Sequence, residues 1–435
     1  MDMFACLRRG RRLIRCALCV LVLCNPVLAW AAPVDVGFDQ ALQAAVAQSP
    51  GLVARRLQVT ASTEQAARAA ALPDPRLIVG LANWPVDGPE AFSLRADEMT
   101  TQQIGLMQEF PARAKRRAQQ GLADAAVMQA RSLSLAEQRL VVQAAAQAWI
   151  DLWTAQQAVQ ALQALREPAR TAERAARARL AGGAVKAGDV LAAQAAALAL
   201  ENRIEVAKAE SVAAQAGLAR WLGTDDASSL TAQGQAPDFA QLPVSEARLL
   251  AEVDRQGPML GWEPREAAAQ AELAAAIADT RPDWSLEVLY GRRERAPDGM
   301  PRSDMLMIEV GVGLPLFRKN RQARGIAARR AELDMTLAER DEARRVQVES
   351  VRRALASWHG LRRRIDRQTA QELPLARDRA RTTLAAYGAC ADLQPWLDAR
   401  RDEIELNLEH ARLLGELGRA WAALAYLLPQ QENTP

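Results

Sequence analysis

The chain is 435 residues long, half of them apolar and a quarter charged, with only 4% aromatic residues and a formal charge of +3. That length can bury an ample core, and scarce aromatics beside abundant Ala favour long, closely packed helices over a sheet-based core. Two His and five Cys, with no G-x-S-x-G, H-E-x-x-H or P-loop pattern, leave no constellation for a catalytic, zinc, nucleotide or other cofactor site, so the chain reads as a non-enzyme.

The N-terminus reads as a secretory signal over 1–31. Arg8, Arg9, Arg11, Arg12 and Arg15 precede an apolar run from Cys16 to Cys24, and Ala29-Trp30-Ala31 supplies a small-x-small cleavage site. Leu23 stands before Cys24 where lipidation would need a small residue. Removing this segment takes away five Arg and one Asp, so the charge becomes −1. The basicity therefore belongs to the signal, which argues against nucleic acid as a partner. Four cysteines leave with it, and Cys390 alone cannot build a disulfide framework. No later segment has the roughly 18 consecutive apolar residues of a membrane-spanning helix, so any crossing is made with strands.

Over 38–72 the pattern is helical, with Leu42, Val46, Val53 and Leu57 recurring and Pro50-Gly51 interrupting. Strands are expected at 76–84 and 100–110, joined by a loop rich in Pro, Gly and Asp. A proline-free stretch then predicts one helix over 112–166, about 80 Å long. Leu135, Val142 and Trp149 recur at sevens, as do Leu152 and Val159, the mark of a coiled-coil seam. A kink is expected near Pro168, a turn at 181–191, and an antiparallel return helix at 190–222. Residues 223–262 gather Gly, Asp, Ser and Pro and read as a surface-lying connector.

The plan then restarts. A helix is expected at 263–279, and a β-hairpin over 283–314 whose second strand alternates Leu306, Ile308, Val310, Val312 and Leu314 against Met307, Glu309, Gly311 and Gly313. A helical hairpin follows over 316–428. Its first helix, 316–372, holds Val351, Trp358 and Ile365 at sevens and is followed by Pro374, which repeats the position of Pro168; its last holds Leu414, Trp421 and Leu428. At a constant offset of 204 Ile104, Pro111, Lys115, Arg117 and Gly121 match Ile308, Pro315, Lys319, Arg321 and Gly325. Pro73-Asp74 corresponds separately to Pro282-Asp283. The chain is thus a tandem repeat: 32–222 holds the hairpin 76–110 and helical hairpin 112–222, the connector is 223–262, and 263–435 repeats the plan.

Four strands with one apolar face each cannot close a barrel, and open edges are forbidden in lipid. The strands must be shared between copies, and three copies would give a 12-stranded transmembrane β-barrel above a trimeric α-barrel of long helical hairpins. The fold class is mainly α with a small β part.

The duplicated plan, the strand-ending Phe110-Pro111 and Leu314-Pro315, the basic Lys115-Arg116-Arg117 and Lys319-Asn320-Arg321, and the turn from Gly183 to Asp189-Val190 resemble the TolC family of outer-membrane efflux proteins over essentially the whole mature chain. The run from Leu72 to Leu94, followed by MQEFPARAKRR, is most similar to the CzcC/CusC-type heavy-metal branch. The second turn departs from the pattern: Gly388 is present, but Pro395-Trp396-Leu397 replaces Asp-Val-Leu. The resemblance implies a homotrimer in the outer membrane, in contact with its lipid, with a long periplasmic portion. It implies a periplasmic adaptor (membrane fusion protein) and an inner-membrane resistance-nodulation-division (RND) pump as partners. The function implied is a passive exit duct for heavy-metal cations. A duct for drugs, organic solutes or type I secreted polypeptide is the alternative, and a periplasmic coiled-coil scaffold without a pore is an alternative of another class.

Glu287 and Glu309 are expected to face the pore, where carboxylate rings favour cations or merely keep the inner face wet. Met300, Met305 and Met307 suggest soft-metal ligands, although the spacing favours packing, and only Met307 is expected to share the face of Glu309. His359 and His410 lie isolated in helices. At the periplasmic tip Gly183, Lys186, Asp189, Val190, Gly388 and Asp392 are candidates for a gate or adaptor contacts, against the plainer reading of capped helical turns.

Overall fold

The structure is a computed structural model and describes residues 34–183, 185–388 and 392–429. The expected secretory signal (1–31) and Cys390 lie outside the described residues.

The first repeat opens with a short strand, β1 (Val34–Val36), and two helices, α1 (Phe38–Gln48) and α2 (Pro50–Ala69). Ser49 separates them: its hydroxyl accepts the Leu52 N–H, and Pro50 supplies the pre-set φ of a first helical position. The expected apolar face is only partly used. Ala41, Ala45, Leu52 and Ala66 are buried, whereas Val53 and Leu57 are exposed. Strand β2 (Arg76–Ala82) ends before Trp84 because Asn83 adopts φ 53°, outside the strand region.

Strand β3 (Thr101–Phe110) leads into α3 (Arg113–Ala164), 52 residues and about 78 Å long. The expected kink falls at Leu165, and Pro168 then sits in the first turn of α4 (Arg166–Ala181), where a missing N–H costs no helical bond. Helix α5 (Ala187–Leu222) returns antiparallel and ends at Gly223, whose φ of 65° makes a left-handed cap.

The connector lies over the long helices with many residues exposed, but it is anchored there more firmly than its polar composition suggests. Its strand β4 (Leu230–Ala232) pairs in parallel with β1, and Phe239, Val244, Leu249, Val253 and Met259 are buried. Helix α6 (Glu246–Ala251) and two short 3-10 turns lead into α7 (Trp262–Ala278). Then come β5 (Trp284–Arg292) and β6 (Met305–Val312). The following helix does not begin at 316. Residues 316–321 form a turn, and α8 runs Gln322–Arg367. Near its expected kink the chain forms a π-helical turn, Gln368–Glu372, and continues as α9 (Leu373–Gly388). The wider π turn accommodates the missing donor of Pro374 without breaking the helix. Helix α10 (Gln394–Ala425) completes the second hairpin.

The two β-hairpins form one antiparallel sheet in the order β2-β3-β5-β6, so the repeats join at β3 and β5. The register gathers Leu77, Val79, Ile104, Leu106, Val288, Tyr290, Ile308 and Val310 on one face, all exposed in the isolated chain. Among the described residues no helix is long and apolar enough to cross a membrane.

The main core lies where the connector wraps the long helices. Trp149, Val351, Trp358 and Trp421, all at seven-residue spacing, are buried there, while Leu135 is exposed. Each indole N–H reaches a main-chain carbonyl: Trp149 to Val36 (2.8 Å), Trp358 to Phe239 (2.9 Å) and Trp421 to Gln241 (2.7 Å). The heptad tryptophans therefore do more than fill a helical seam. They bind β1 and the connector to the bundle, because a buried indole N–H must find an acceptor.

Candidate functional site

The second face of the sheet carries the polar residues. Antiparallel pairing sets Arg76 opposite Met107, Met107 opposite Glu287, and Glu287 opposite Glu309, so one row crosses all four strands. Glu109 lies on the same face, its carboxylate 3.6 Å from the Arg76 guanidinium. Two carboxylates directly opposite one another repel, and Glu287 and Glu309 tolerate the arrangement because water reaches both. The same face is thinned at Gly105. A Cβ there would lie 2.2 Å from the Val288 carbonyl oxygen and 2.8 Å from the Leu289 Cα, so only glycine admits the neighbouring strand at this spacing.

Met305 corrects the sequence reading: it lies within β6 and shares the face of Met307 and Glu309. Met107 adds a third thioether to that face, and Met300 stays outside in the loop. Met107, Arg76 and Glu109 escaped sequence reasoning; the alternation of β3 puts Met107 and Glu109 on one face of that strand. Only the β3–β5 register sets them beside Glu287. Among the described residues no three His, Cys, Asp or Glu side chains form a group that could hold a metal ion.

At the far end the two helical turns meet. Gly183 takes φ 72°, and the Lys186 N–H donates to the Asp189 carboxylate at 3.0 Å, so Asp189 caps α5. Val190 is buried with Ala172, Ala176, Ala193, Tyr387, Leu393 and Trp396. The Arg179 guanidinium lies 4.3 Å from the Tyr387 ring centroid and donates to the Tyr387 carbonyl at 2.7 Å. Gly388 follows directly, and Asp392 is exposed. The divergent Pro395-Trp396-Leu397 has a structural role: Pro395 sits in the first turn of α10 and Trp396 fills the cluster holding both turns together.

Neither histidine joins these sites. His359 Nε2 lies 2.9 Å from Glu246, and His410 Nδ1 lies 3.1 Å from Gln368. Burial, and then the nearby Arg377, push the His410 imidazole below the ordinary histidine range.

No curated protein matches the chain in sequence. The family model described as outer membrane efflux protein matches residues 261–429, from the start of α7 to the end of the second helical hairpin. Three solved structures share the fold. The structure of CusC, described for its folding and transmembrane channel formation, has a TM-score of 0.75 at 16% identity, covering 91% of this chain and 93% of CusC. The Campylobacter jejuni CmeC outer membrane channel gives 0.73 at 15%, covering 91% and 87%. The open-state Neisseria gonorrhoeae MtrE outer membrane channel gives 0.69 at 16%, covering 92% and 90%. The chain therefore has the fold of these outer-membrane channels, mainly helical with a small sheet, and its second repeat carries the efflux-protein sequence pattern.

Proposed function

We propose that this protein is the outer-membrane channel of a tripartite RND-type efflux system: a homotrimer that gives cargo a passive exit and performs no chemistry of its own. One observation carries the reading. The four-stranded sheet has a continuous apolar face, a polar face and two unpaired edges. A lone sheet of this kind fits neither water nor lipid, because its apolar face needs hydrocarbon and its edges need hydrogen-bond partners. Three copies joined edge to edge satisfy both demands and enclose the face that carries Glu287 and Glu309. A coiled-coil scaffold has no use for such a sheet.

The cargo we favour is heavy-metal cations. Glu287 and Glu309 repeat around the ring and attract cations, and Met307, with Met305 and Met107 on the same face, offers soft-metal contacts. In this reading residues 1–31 direct export. Gly183, Lys186, Asp189, Val190, Gly388 and Asp392 form the periplasmic tip, where a periplasmic adaptor docks and a gate closes.

Single-channel recording of the purified mature protein in planar bilayers, beside its unboiled gel mobility, tests the reading. A heat-labile trimer with a small cation-preferring conductance is expected. A protein that never enters lipid would refute the channel.

A further inference from the structure

Within one chain the two repeats meet along a complete seam. Strand β3 pairs with β5, and α7 packs on α3. Just below the sheet Lys115 Nζ lies 2.6 Å from Asp283 Oδ2, while the Ala112 N–H donates to Asp283 Oδ1 at 2.8 Å. Burial alone would raise the Asp283 carboxyl. The Lys115 ammonium and the Ala112 N–H outweigh it and hold the group below the ordinary carboxylate range. Deeper along the same seam a Cβ added at Gly121 would meet the Ala271 Cβ at 3.5 Å, so the two helices approach closely there.

The counterparts of these groups stand at the outer edges of the chain. Arg76 pairs with Met107 and Ser285 pairs with Gly311, so 107 maps to 311 and 76 maps to 285. The second mapping also carries Asp74 onto Asp283, and the first carries Lys115 onto Lys319. The internal registers and the sequence repeat thus agree independently. Lys319 and Asp74 are both exposed, and Gly325, in the place of Gly121, has open space around it. The exposed Val53 and Leu57 lie on α2, the counterpart of α7, and the outer edges of β2 and β6 are unpaired.

We infer that Lys319 of one copy pairs with Asp74 of the next, locking the seam between copies as Lys115 and Asp283 lock the seam within one. The same mapping sets β6 against β2 of the next copy with Val310 opposite Val79 and Ile308 opposite Leu81. Opposite charges then meet at the base of every seam, and the head-to-tail contact repeats until the ring closes. The pairing rests on the homotrimer proposed above.

The test uses the full mature chain carrying Cys390→Ala. Asp74→Cys with Lys319→Cys should give a covalent trimer ladder with a short bis-maleimide cross-linker, which spans the length a Lys side chain leaves vacant and a direct disulfide does not, read on boiled gels. Lys115→Cys with Asp283→Cys should cross-link within the monomer and give no ladder. Lys319→Glu or Asp74→Lys alone should lower the temperature at which the unboiled trimer dissociates, and the double reversal should restore most of that loss. If the parent runs as a trimer but yields no ladder and no recovery, the pairing is wrong and the channel stands. If the parent is monomeric in membranes, both fall.

Discussion

Val288 is the fifth residue of the nine-residue strand β5, with Leu106 and Ile308 beside it on the apolar face. Replacing it with Arg would set a guanidinium at the mid-depth of the proposed membrane sheet, at a cost of about 2–4 kcal/mol per chain. In the proposed homotrimer each of three copies would carry that cost. At about 1.4 kcal/mol per tenfold, each copy alone loses one to three decades in its insertion equilibrium. Glu287 is the adjacent residue and faces the other way, opposite Glu309. Glu287→Arg removes a like-charge pairing and places its charge in water, so it should assemble normally. Comparing heat-labile trimer in outer-membrane fractions of the two variants isolates the face from the substitution. Val288→Arg should leave little or no trimer, and Val310→Arg should behave likewise. Normal yield from both valine variants, or equal failure of Glu287→Arg, would refute the assignment of faces.

Glu287→Gln with Glu309→Gln should leave trimer yield intact and lower the cation-over-anion permeability ratio in planar bilayers, since both charges leave the inner face. Trp358→Phe keeps the buried ring but strands the Phe239 carbonyl that its indole N–H now satisfies. It should cost about 1–3 kcal/mol, read as a lower melting temperature. A Cβ at Gly418 would meet Ile150 Cγ2 at 2.6 Å and the Phe239 ring at 3.3 Å, so Gly418→Val should destabilise the core by about 1–3 kcal/mol in the same assay. His410 is held below its ordinary pKa in the folded state, so the unfolded chain binds its proton first as pH falls. Stability should therefore be full above the unfolded value near 6.5 and decline as pH drops through the folded value. Melting at about pH 7.5 and about pH 5.5 should show that loss, and His410→Gln should reduce it.

The sequence alone determined what depends on near neighbours along the chain. Alternation within β6 separated Ile308 and Val310 from Met307 and Glu309, and the pairing register agrees. Seven-residue recurrence of Val351, Trp358 and Ile365 marked a buried face, and all three are buried. The duplicated Pro-Asp and Lys-Arg signals announced two copies of one plan. Pro168 and Pro374 signalled interruptions, but their form depended on how each helix redistributed the missing hydrogen bond.

The tertiary structure decided what joins distant segments. Strand β1 pairs with β4 across nearly the length of the first repeat, and its three residues are too short to carry a periodic signal. The connector looked polar in composition, yet Phe239, Val244 and Leu249 are buried against the bundle, where Trp358 and Trp421 donate their indole N–H groups to its carbonyls and Trp149 donates to that of β1. The row Arg76, Met107, Glu287 and Glu309 exists only because β3 meets β5 in one register, and a slip of one residue would send half of it to the apolar face. Periodicity encodes which way a side chain points relative to its own neighbours. What stands opposite it is fixed by the hydrogen-bond register of strands far apart in sequence, and that is settled only when the two repeats dock.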